Sequence, residues 1–175
     1  MSIFIVDIES DGPAPGLYSM VSFAAIKVNY EMKTTFKALV APISKNFKPD
    51  ALAISSITRL EHENYPSPEI AIVNFLNWIK KENNGERAIF MSDNLAFDWQ
   101  FINYYLHAYC DENPFGHSGR RIGDFYAGLQ RDFRASSKWK KLIVTKHSHD
   151  PLDDVKGNAE AFLEICKQNK IKFPS

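Results

Sequence analysis

The sequence predicts an α/β domain in which a mixed β-sheet is flanked by helices. Residues 2–7, 19–28 and 34–40 are apolar segments with the length and composition of strands. The short link at 29–33 indicates a hairpin between the second and third of them. After residue 67, helical periodicity alternates with short strand-like segments. Three leading antiparallel strands followed by such alternation are typical of a mixed sheet covered by helices.

The later elements follow from their caps and their periodicity. Ser67 can cap a helix, Pro68 suits its first position, and apolar residues then recur at helical spacing up to Asn83. The other predicted elements are a short helix around Pro49 to Ile54, a strand at 88–92, a helix from Leu95 to Tyr109, a short strand containing Ile122, a helix from Asp124 through Phe133, a basic loop at 134–148 and a last helix from Asp154 to Lys167.

Length and charge narrow the class of protein. A chain of 175 residues suits one domain spanning 1–175, and a net charge of zero excludes a uniformly basic nucleic-acid binder. Residues 120–146 nevertheless carry eight Lys or Arg against two Asp. This asymmetry permits a polyanion partner at one surface, and a solvated basic loop explains the charge equally well.

Cysteine usage and the N-terminus predict a cytoplasmic protein. Cys110 and Cys166 both fall in apolar helical patterns, which indicates buried, reduced thiols. The first residues do not resemble a signal peptide, and no apolar run approaches the roughly 20 residues of a membrane span.

Acidic residues stand at the ends of several predicted elements. Asp7 and Glu9 end the first strand and, being two apart, project from the same side of it. Asp98 lies one turn into a helix, Asp154 heads the last helix, and His149 precedes it in a loop. Taken singly, each has a structural explanation: a solvated strand end, a favourable charge at a helix start, a helix cap or a surface histidine.

Together, the four carboxylates predict a metal site. Two like charges about 4 Å apart repel by about 4 kcal/mol at an effective dielectric of 20. Because a whole domain is stable by only about 5–15 kcal/mol, a cluster of four needs cations. Oxygen ligands suit Mg²⁺ or Mn²⁺, and paired ions are the arrangement used for phosphodiester hydrolysis.

Three motifs carry a family resemblance that covers nearly the whole chain. DIE at 7–9, NLAFD at 94–98 and HDPLDD at 149–154 resemble the motifs of the DEDDh-type 3′–5′ exonucleases, a DnaQ-like branch of the ribonuclease-H-like superfamily. The link at 56–70 is also similar, with Ser56 where the family usually has glycine. The strings at 11–20 and 113–124 are similar to a subfamily of small bacterial and phage exoribonucleases.

The resemblance implies a role for each motif residue. Asp7, Glu9, Asp98 and Asp154 would ligate two Mg²⁺ or Mn²⁺ ions, and His149 would be the general base for the attacking water. The substrate would be the 3′ end of single-stranded RNA or DNA, with RNA favoured, and the products nucleoside 5′-monophosphates. Related small enzymes are often dimers, so the resemblance also allows a homodimer.

Other residues are candidates for substrate contact. Tyr18 and Phe97 could stack on the terminal base, Asn94 could contact substrate or start a helix, and Lys146 could bind phosphate. Asp11 is expected to form a turn rather than bind metal. The basic residues that could follow the phosphate backbone are Arg120, Arg121, Lys138, Lys140, Lys141 and Lys146.

Two alternatives remain open from the sequence. The string His147-Ser148-His149-Asp150 invites a zinc-hydrolase interpretation, although no histidine follows it. An inactive ribonuclease-H-like module that only binds nucleic acid or protein is the second alternative. The presence of all four acids and of the histidine favours the enzyme.

Overall fold

A five-stranded sheet forms the centre of the computed structural model, which describes residues 1–172. The strand order is β3-β2-β1-β4-β5. The strands are β1 (Ser2–Ser10), β2 (Met20–Lys27), β3 (Thr35–Leu39), β4 (Ala88–Ser92) and β5 (Gly119–Arg121). β1 to β3 are antiparallel neighbours, and β4 and β5 run parallel to β1. The predicted mixed sheet and its three leading strands are therefore confirmed.

Central strand β1 owes its position to its apolar run. Phe4, Ile5 and Val6 are fully buried, because helices cover both faces of the sheet. Its pairing with β2 places Asp7 opposite Ala24 and Glu9 opposite Ser22, and the register shifts after Glu9. The carboxylates thus emerge where the buried part of the strand ends.

Within the described part of the chain, six α-helices surround the sheet. They are α1 (Pro49–Ile54), α2 (Arg59–Glu63), α3 (Pro68–Asn83), α4 (Leu95–Cys110), α5 (Ile122–Gln130) and α6 (Pro151–Gln168). One core cluster joins Phe4 and Phe23 of the sheet to Phe75 of α3 and Phe101 of α4. The cluster on the other face joins Ile5 to Phe162 of α6, among others. Within residues 1–172, no helix has the length and apolar character needed to cross a bilayer.

The region after β4 differs in detail from the prediction. Ile122 starts α5 instead of lying in the short strand, and α5 ends at Gln130, before Phe133. The segment predicted as a basic loop contains two 3-10 turns, Phe133–Ala135 and Lys138–Leu142. Trp139 in the second turn is fully buried in the same core cluster as residues of α6. This packing orders a segment whose charges alone predict a solvated loop.

Two further local features depend on packing. α6 begins at Pro151, three residues earlier than predicted, and its cap is Asp150, whose carboxylate accepts the backbone N–H of Leu152 (2.9 Å). Asp153 and Asp154 are therefore in the first turn and are not caps. Ser56 has φ of 56°, the left-handed conformation that favours the glycine usual at this position of the family motif.

Candidate active site

Three of the predicted acids meet at the end of β1. Carboxylate oxygens of Asp7, Glu9 and Asp154 all lie within 4.8 Å of one another. Asp7 and Glu9 come from the strand, and Asp154 comes from the first turn of α6, which packs against β1 and β2. Residues 147 positions apart in the chain are thus brought together by the docking of one helix on the sheet.

Asp98 borders the same space from the other face of the sheet. It lies in the first turn of α4, is 2% exposed, and lines a cavity of about 460 Å³ with Asp7, Glu9 and His149. Asp98 is not part of the cluster of three within 4.8 Å. Its buried Oδ2 atom has no hydrogen-bond partner among residues 1–172. A buried carboxylate oxygen without a partner is costly, so this atom is free to receive a cation.

Burial and mutual repulsion shift the acids toward their neutral forms. Burial, and then the charges of Asp98, Asp154 and Glu9, hold the pKa of Asp7 well above its usual range. Burial raises the pKa of Asp98 to about 7, although Ser92 and the backbone of Ile8 oppose the shift. Without a cation, the site therefore stores unfavourable electrostatic free energy.

Two histidines face these acids, whereas the sequence motif singled out one. His149 Nδ1 lies 3.6 Å from Glu9 Oε1, and His147 Nδ1 lies 2.8 Å from Asp154 Oδ2. The two rings touch edge to face, with centroids 4.3 Å apart. Burial raises the pKa of Glu9, and the charge of His149 is the largest effect opposing that rise. His147 is the residue that motif reasoning missed, since its position in the sequence suggested only a zinc alternative.

The loop that carries both histidines is fixed to α6. Glu160 accepts the backbone N–H groups of Val144 (3.1 Å) and Thr145 (2.7 Å) and the Thr145 hydroxyl (2.8 Å). Gly157 permits the close approach, because a Cβ atom there would lie 2.6 Å from the Thr145 carbonyl oxygen. α6 therefore positions Asp154 and the histidine loop as one unit.

A fifth carboxylate, Asp93, was not predicted. Asp93 lines the cavity of Asp98 and a neighbouring one of about 340 Å³ that contains Asp7 and Asp154. Its charge contributes to the raised pKa values of Asp7 and Asp98. Lys140 Nζ lies 2.6 Å from Asp93 Oδ2, so one of the predicted basic residues reaches the site. The available signal was the place of Asp93, directly after a buried strand.

The predicted substrate contacts divide into two groups. Asn94 and Phe97 line the cavity, and the Asn94 side chain makes no helix-capping hydrogen bond, so it is available to a ligand. Tyr18 instead packs on Gly12, where a Cβ atom would lie 2.2 Å from its ring. Lys146 is exposed, and neither cavity at the acids includes it among its lining residues.

Asp11 differs from the expected turn residue, because it is fully buried in an ion pair. Arg59 Nη1 donates to Asp11 Oδ2 (2.9 Å), and Ser19 N donates to Oδ1 (2.5 Å). The Asp11 carbonyl accepts from Lys48 N (2.7 Å), and Arg59 also donates to the Ser44 carbonyl (2.6 Å). This network ties the end of β1 to α1, whose Ala51 and Ile54 form one wall of the cavity.

We expect Arg59→Met to destabilise the fold by about 3 kcal/mol, because it leaves the buried Asp11 carboxylate without its charge partner. The free energy of unfolding from urea titration measures this loss. Arg120→Met is the control, since Arg120 is exposed, and Asp11→Asn combined with Arg59→Met should recover part of the stability. A loss below about 1 kcal/mol in Arg59→Met would mean that the pair is not structurally important.

The chemistry of the donor set fits a divalent cation of the Mg²⁺ type. The group able to hold a metal among residues 1–172 consists of carboxylates alone, and hard oxygen donors select Mg²⁺ or Mn²⁺ over zinc. The histidines pair with two different acids, so the geometry does not favour the zinc alternative. A cation at this site would give the Asp98 Oδ2 atom a partner and would offset the charges that raise the pKa of Asp7.

Comparison with known proteins decides the family. Residues 4–162 match the family model RNase_T, described as Exonuclease. The chain belongs to this exonuclease family. The DEDDh-type assignment made from the three acidic motifs and the ribonuclease-H-like sheet are thereby confirmed.

The exonuclease chain is similar to a curated protein over almost its whole length. It is 36% identical over 178 residues to the "3′-5′ DNA exonuclease Cap18" of Escherichia coli, covering 97% of this chain and 95% of that protein.

Two solved structures share the fold at lower identity. A structure of "3′-end specific recognition of histone mRNA stem-loop by 3′-exonuclease" has a TM-score of 0.74 and 18% identity, with 95% of this chain and 64% of that chain covered. An E. coli exonuclease I complex with single-stranded DNA has a TM-score of 0.71 and 18% identity, with 95% and 40% covered. The chain thus spans less than two thirds of either protein.

Proposed function

We propose that the protein, acting as a single domain over residues 1–175, is a metal-dependent 3′–5′ exonuclease that releases nucleoside 5′-monophosphates. The observation that carries the proposal is the meeting of carboxylate oxygens of Asp7, Glu9 and Asp154 within 4.8 Å, with the buried Asp98 lining an open cavity together with Asp7 and Glu9. The carboxylates at this site repel one another, and bound cations would remove that repulsion. The full-length similarity to a 3′–5′ exonuclease supports the direction of digestion.

Asp7, Glu9, Asp98 and Asp154 would hold two Mg²⁺ or Mn²⁺ ions. Bound there, the ions supply charge stabilisation to the phosphate and a more acidic water. The strand and the two helices keep these ligands fixed, so the chain does little reorganising during the reaction. His149, half exposed at the rim and 3.6 Å from Glu9, would take the proton from the attacking water as general base.

Cleavage by this mechanism requires a divalent ion. A 5′-labelled single strand incubated with Mn²⁺ should be shortened progressively from its 3′ end, and EDTA should stop the ladder. Matched single- and double-stranded RNA and DNA substrates should be compared in the same assay. Retention of the strand without shortening at any metal concentration would support the inactive binding module instead.

Single-stranded DNA is the substrate that the comparisons favour. The preference for RNA expected from the short subfamily strings is not confirmed, because the relative that matches along the whole chain is named as a DNA exonuclease. The two solved structures share the fold alone, and one concerns single-stranded DNA and the other an mRNA stem-loop. The matched RNA and DNA strands of the same assay separate the two preferences.

His149→Ala should lower the cleavage rate about 10²–10⁴-fold while largely preserving metal binding, because a general base contributes to the rate and not to ion affinity. Single-turnover rates and Mn²⁺ titration followed by calorimetry measure the two effects. His147→Ala is the matched control, since His147 shares the loop and pairs with Asp154 instead of Glu9. A larger rate loss in His147→Ala would assign the base to His147.

Two further expectations remain proposals. The first is a cytoplasmic location, and of the two cysteines predicted to be buried, Cys166 is buried whereas Cys110 is only partly buried. A homodimer is tested by sedimentation velocity of the purified chain.

A further inference from the structure

Phe133 is the most exposed large apolar side chain of the described residues. Its exposure is 92%, and it follows α5 in the first 3-10 turn, Phe133–Ala135. Burying a phenylalanine side chain contributes about 1.5–3 kcal/mol to folding stability. The exposed Phe133 ring does not make this contribution. A single exposed apolar residue is ordinary, and the significance of Phe133 depends on its surroundings.

The turn that presents Phe133 is ordered by its own hydrogen bonds. Asp132 Oδ1 accepts the backbone N–H of Arg134 (2.9 Å), and Asp132 N donates to the Ala127 carbonyl (3.1 Å). Ala135 N donates to the Asp132 carbonyl (2.9 Å), and the Ala135 side chain is buried. The ring is therefore held in solvent by a capped turn.

Two exposed arginines, Arg131 and Arg134, flank Phe133 in the chain. Within residues 1–172 neither forms an ion pair with a carboxylate. A depression of about 390 Å³ lies beside the ring and is bordered by Arg121, Arg131 and Phe133 together with Asp124 and Asp132. The two aspartates form ion pairs with Arg121 and Lys138, which leaves Arg131 without an acidic partner among the described residues. A fixed aromatic face next to uncompensated arginines has the chemistry of single-stranded nucleic-acid binding.

Two contacts connect this depression with the acidic site. Arg121 Nε donates to the Asp93 carbonyl (3.1 Å), and Lys140 Nζ lies 2.6 Å from the Asp93 carboxylate. Asp93 itself lines both cavities at the catalytic acids. Arg121 thus borders the depression and also contacts the rim of the site, so the depression and the acidic site adjoin one another.

We propose that the Phe133 turn is a second nucleic-acid contact. A base upstream of the 3′ end stacks on the Phe133 ring there, and Arg131 and Arg134 neutralise the phosphates of the same strand. The proposal rests on the exonuclease function for the identity of the ligand. It predicts a dependence on strand length, because a trimer occupies the acidic site without reaching the turn and a 20-nucleotide strand reaches both.

Phe133→Leu should raise KM for a 20-nucleotide single strand roughly tenfold and leave KM for a trimer and kcat for both unchanged, since it removes the stacking face and keeps an apolar side chain. Phe133→Trp should keep the affinity, and its fluorescence should be quenched by the 20-mer. Ile70→Ala is the control, because Ile70 is an exposed apolar residue of α3, which packs on the other face of the sheet. Dissociation constants for a 5′-fluorescein 20-mer in EDTA give the same comparison without cleavage.

Equal KM values of Phe133→Leu and the unmodified enzyme for the 20-mer would overturn the second contact while exonuclease activity stands. Weaker binding of the 20-mer by Phe133→Leu in a protein that shortens no strand would support the contact and overturn the exonuclease function. Conversion of a dimer to a monomer by Phe133→Leu in sedimentation velocity, with the 20-mer dissociation constant unchanged, would show a self-association surface and overturn the proposal.

Discussion

Asp98→Asn should abolish cleavage and leave the protein folded. The substitution keeps the shape of a side chain that is 2% exposed in the first turn of α4, but removes its charge. A metal ion contributes several kcal/mol to the transition state, and each 1.36 kcal/mol is tenfold in rate, so we expect a loss of about 10³-fold or more. Product gels measure the rate, and circular dichroism checks the fold.

Glu69→Gln is the matched control for this variant. Glu69 is also an acid in the first turn of a helix, α3, but it is exposed and lies outside the site cavities. Its neutral variant should retain full activity. Near-normal turnover by Asp98→Asn would show that Asp98 is not a ligand, and a loss shared by Glu69→Gln would point to an indirect effect of helix charge.

The metal-free protein should become less stable as pH rises from about 4 to 8. Burial and neighbouring acids raise the folded-state pKa of Asp7, and burial brings that of Asp98 to about 7, so the folded protein binds more protons than the unfolded chain in this range. The stability contributed by the protonated acids is complete below the unfolded pKa near 4 and is lost as pH passes the folded pKa. This direction is opposite to that of carboxylates in salt bridges.

Melting curves in EDTA at pH 5 and pH 8 test this sign. One pKa unit corresponds to about 1.4 kcal/mol, and each kcal/mol moves Tm by roughly 2–4 °C in a domain of this size, so a fall of several degrees is expected. Other groups titrate in the same range, and His62, whose pKa burial lowers, acts in the opposite direction. The informative quantity is therefore the difference between the unmodified protein and Asp98→Asn.

Mg²⁺ should reverse which protein, the unmodified one or Asp98→Asn, melts at the higher temperature. In EDTA at pH 8, Asp98→Asn should melt at a higher temperature, because one repelling charge is gone. With Mg²⁺ at about 100 times its dissociation constant, the unmodified protein should gain about 2.7 kcal/mol and become the more stable one. An Asp98→Asn variant that melts below the unmodified protein in EDTA would contradict the electrostatic origin of the raised pKa of Asp98.

Prediction from sequence succeeded where short-range rules apply. The parity of a strand puts Asp7 and Glu9 on one side of β1, and the cap and proline at the start of α3 define a helix within one residue of its observed beginning. It failed for Ile122 and for the basic segment 134–148, where Trp139 packs in the core with residues of α6. A local pattern of lysines does not reveal such a contact.

The sequence by itself predicted the sheet with its three leading strands, the family resemblance, and the four acids with His149 as the candidate site. Each of these depends on periodicity or on residues adjacent in the chain. Only the tertiary structure decided that Asp93 and His147 join the acids, that Asp11 is buried against Arg59, and that Phe133 is exposed to solvent. The physical reason is that burial and charge pairing arise between residues distant in the chain, and the docking of helices on the sheet sets their distances.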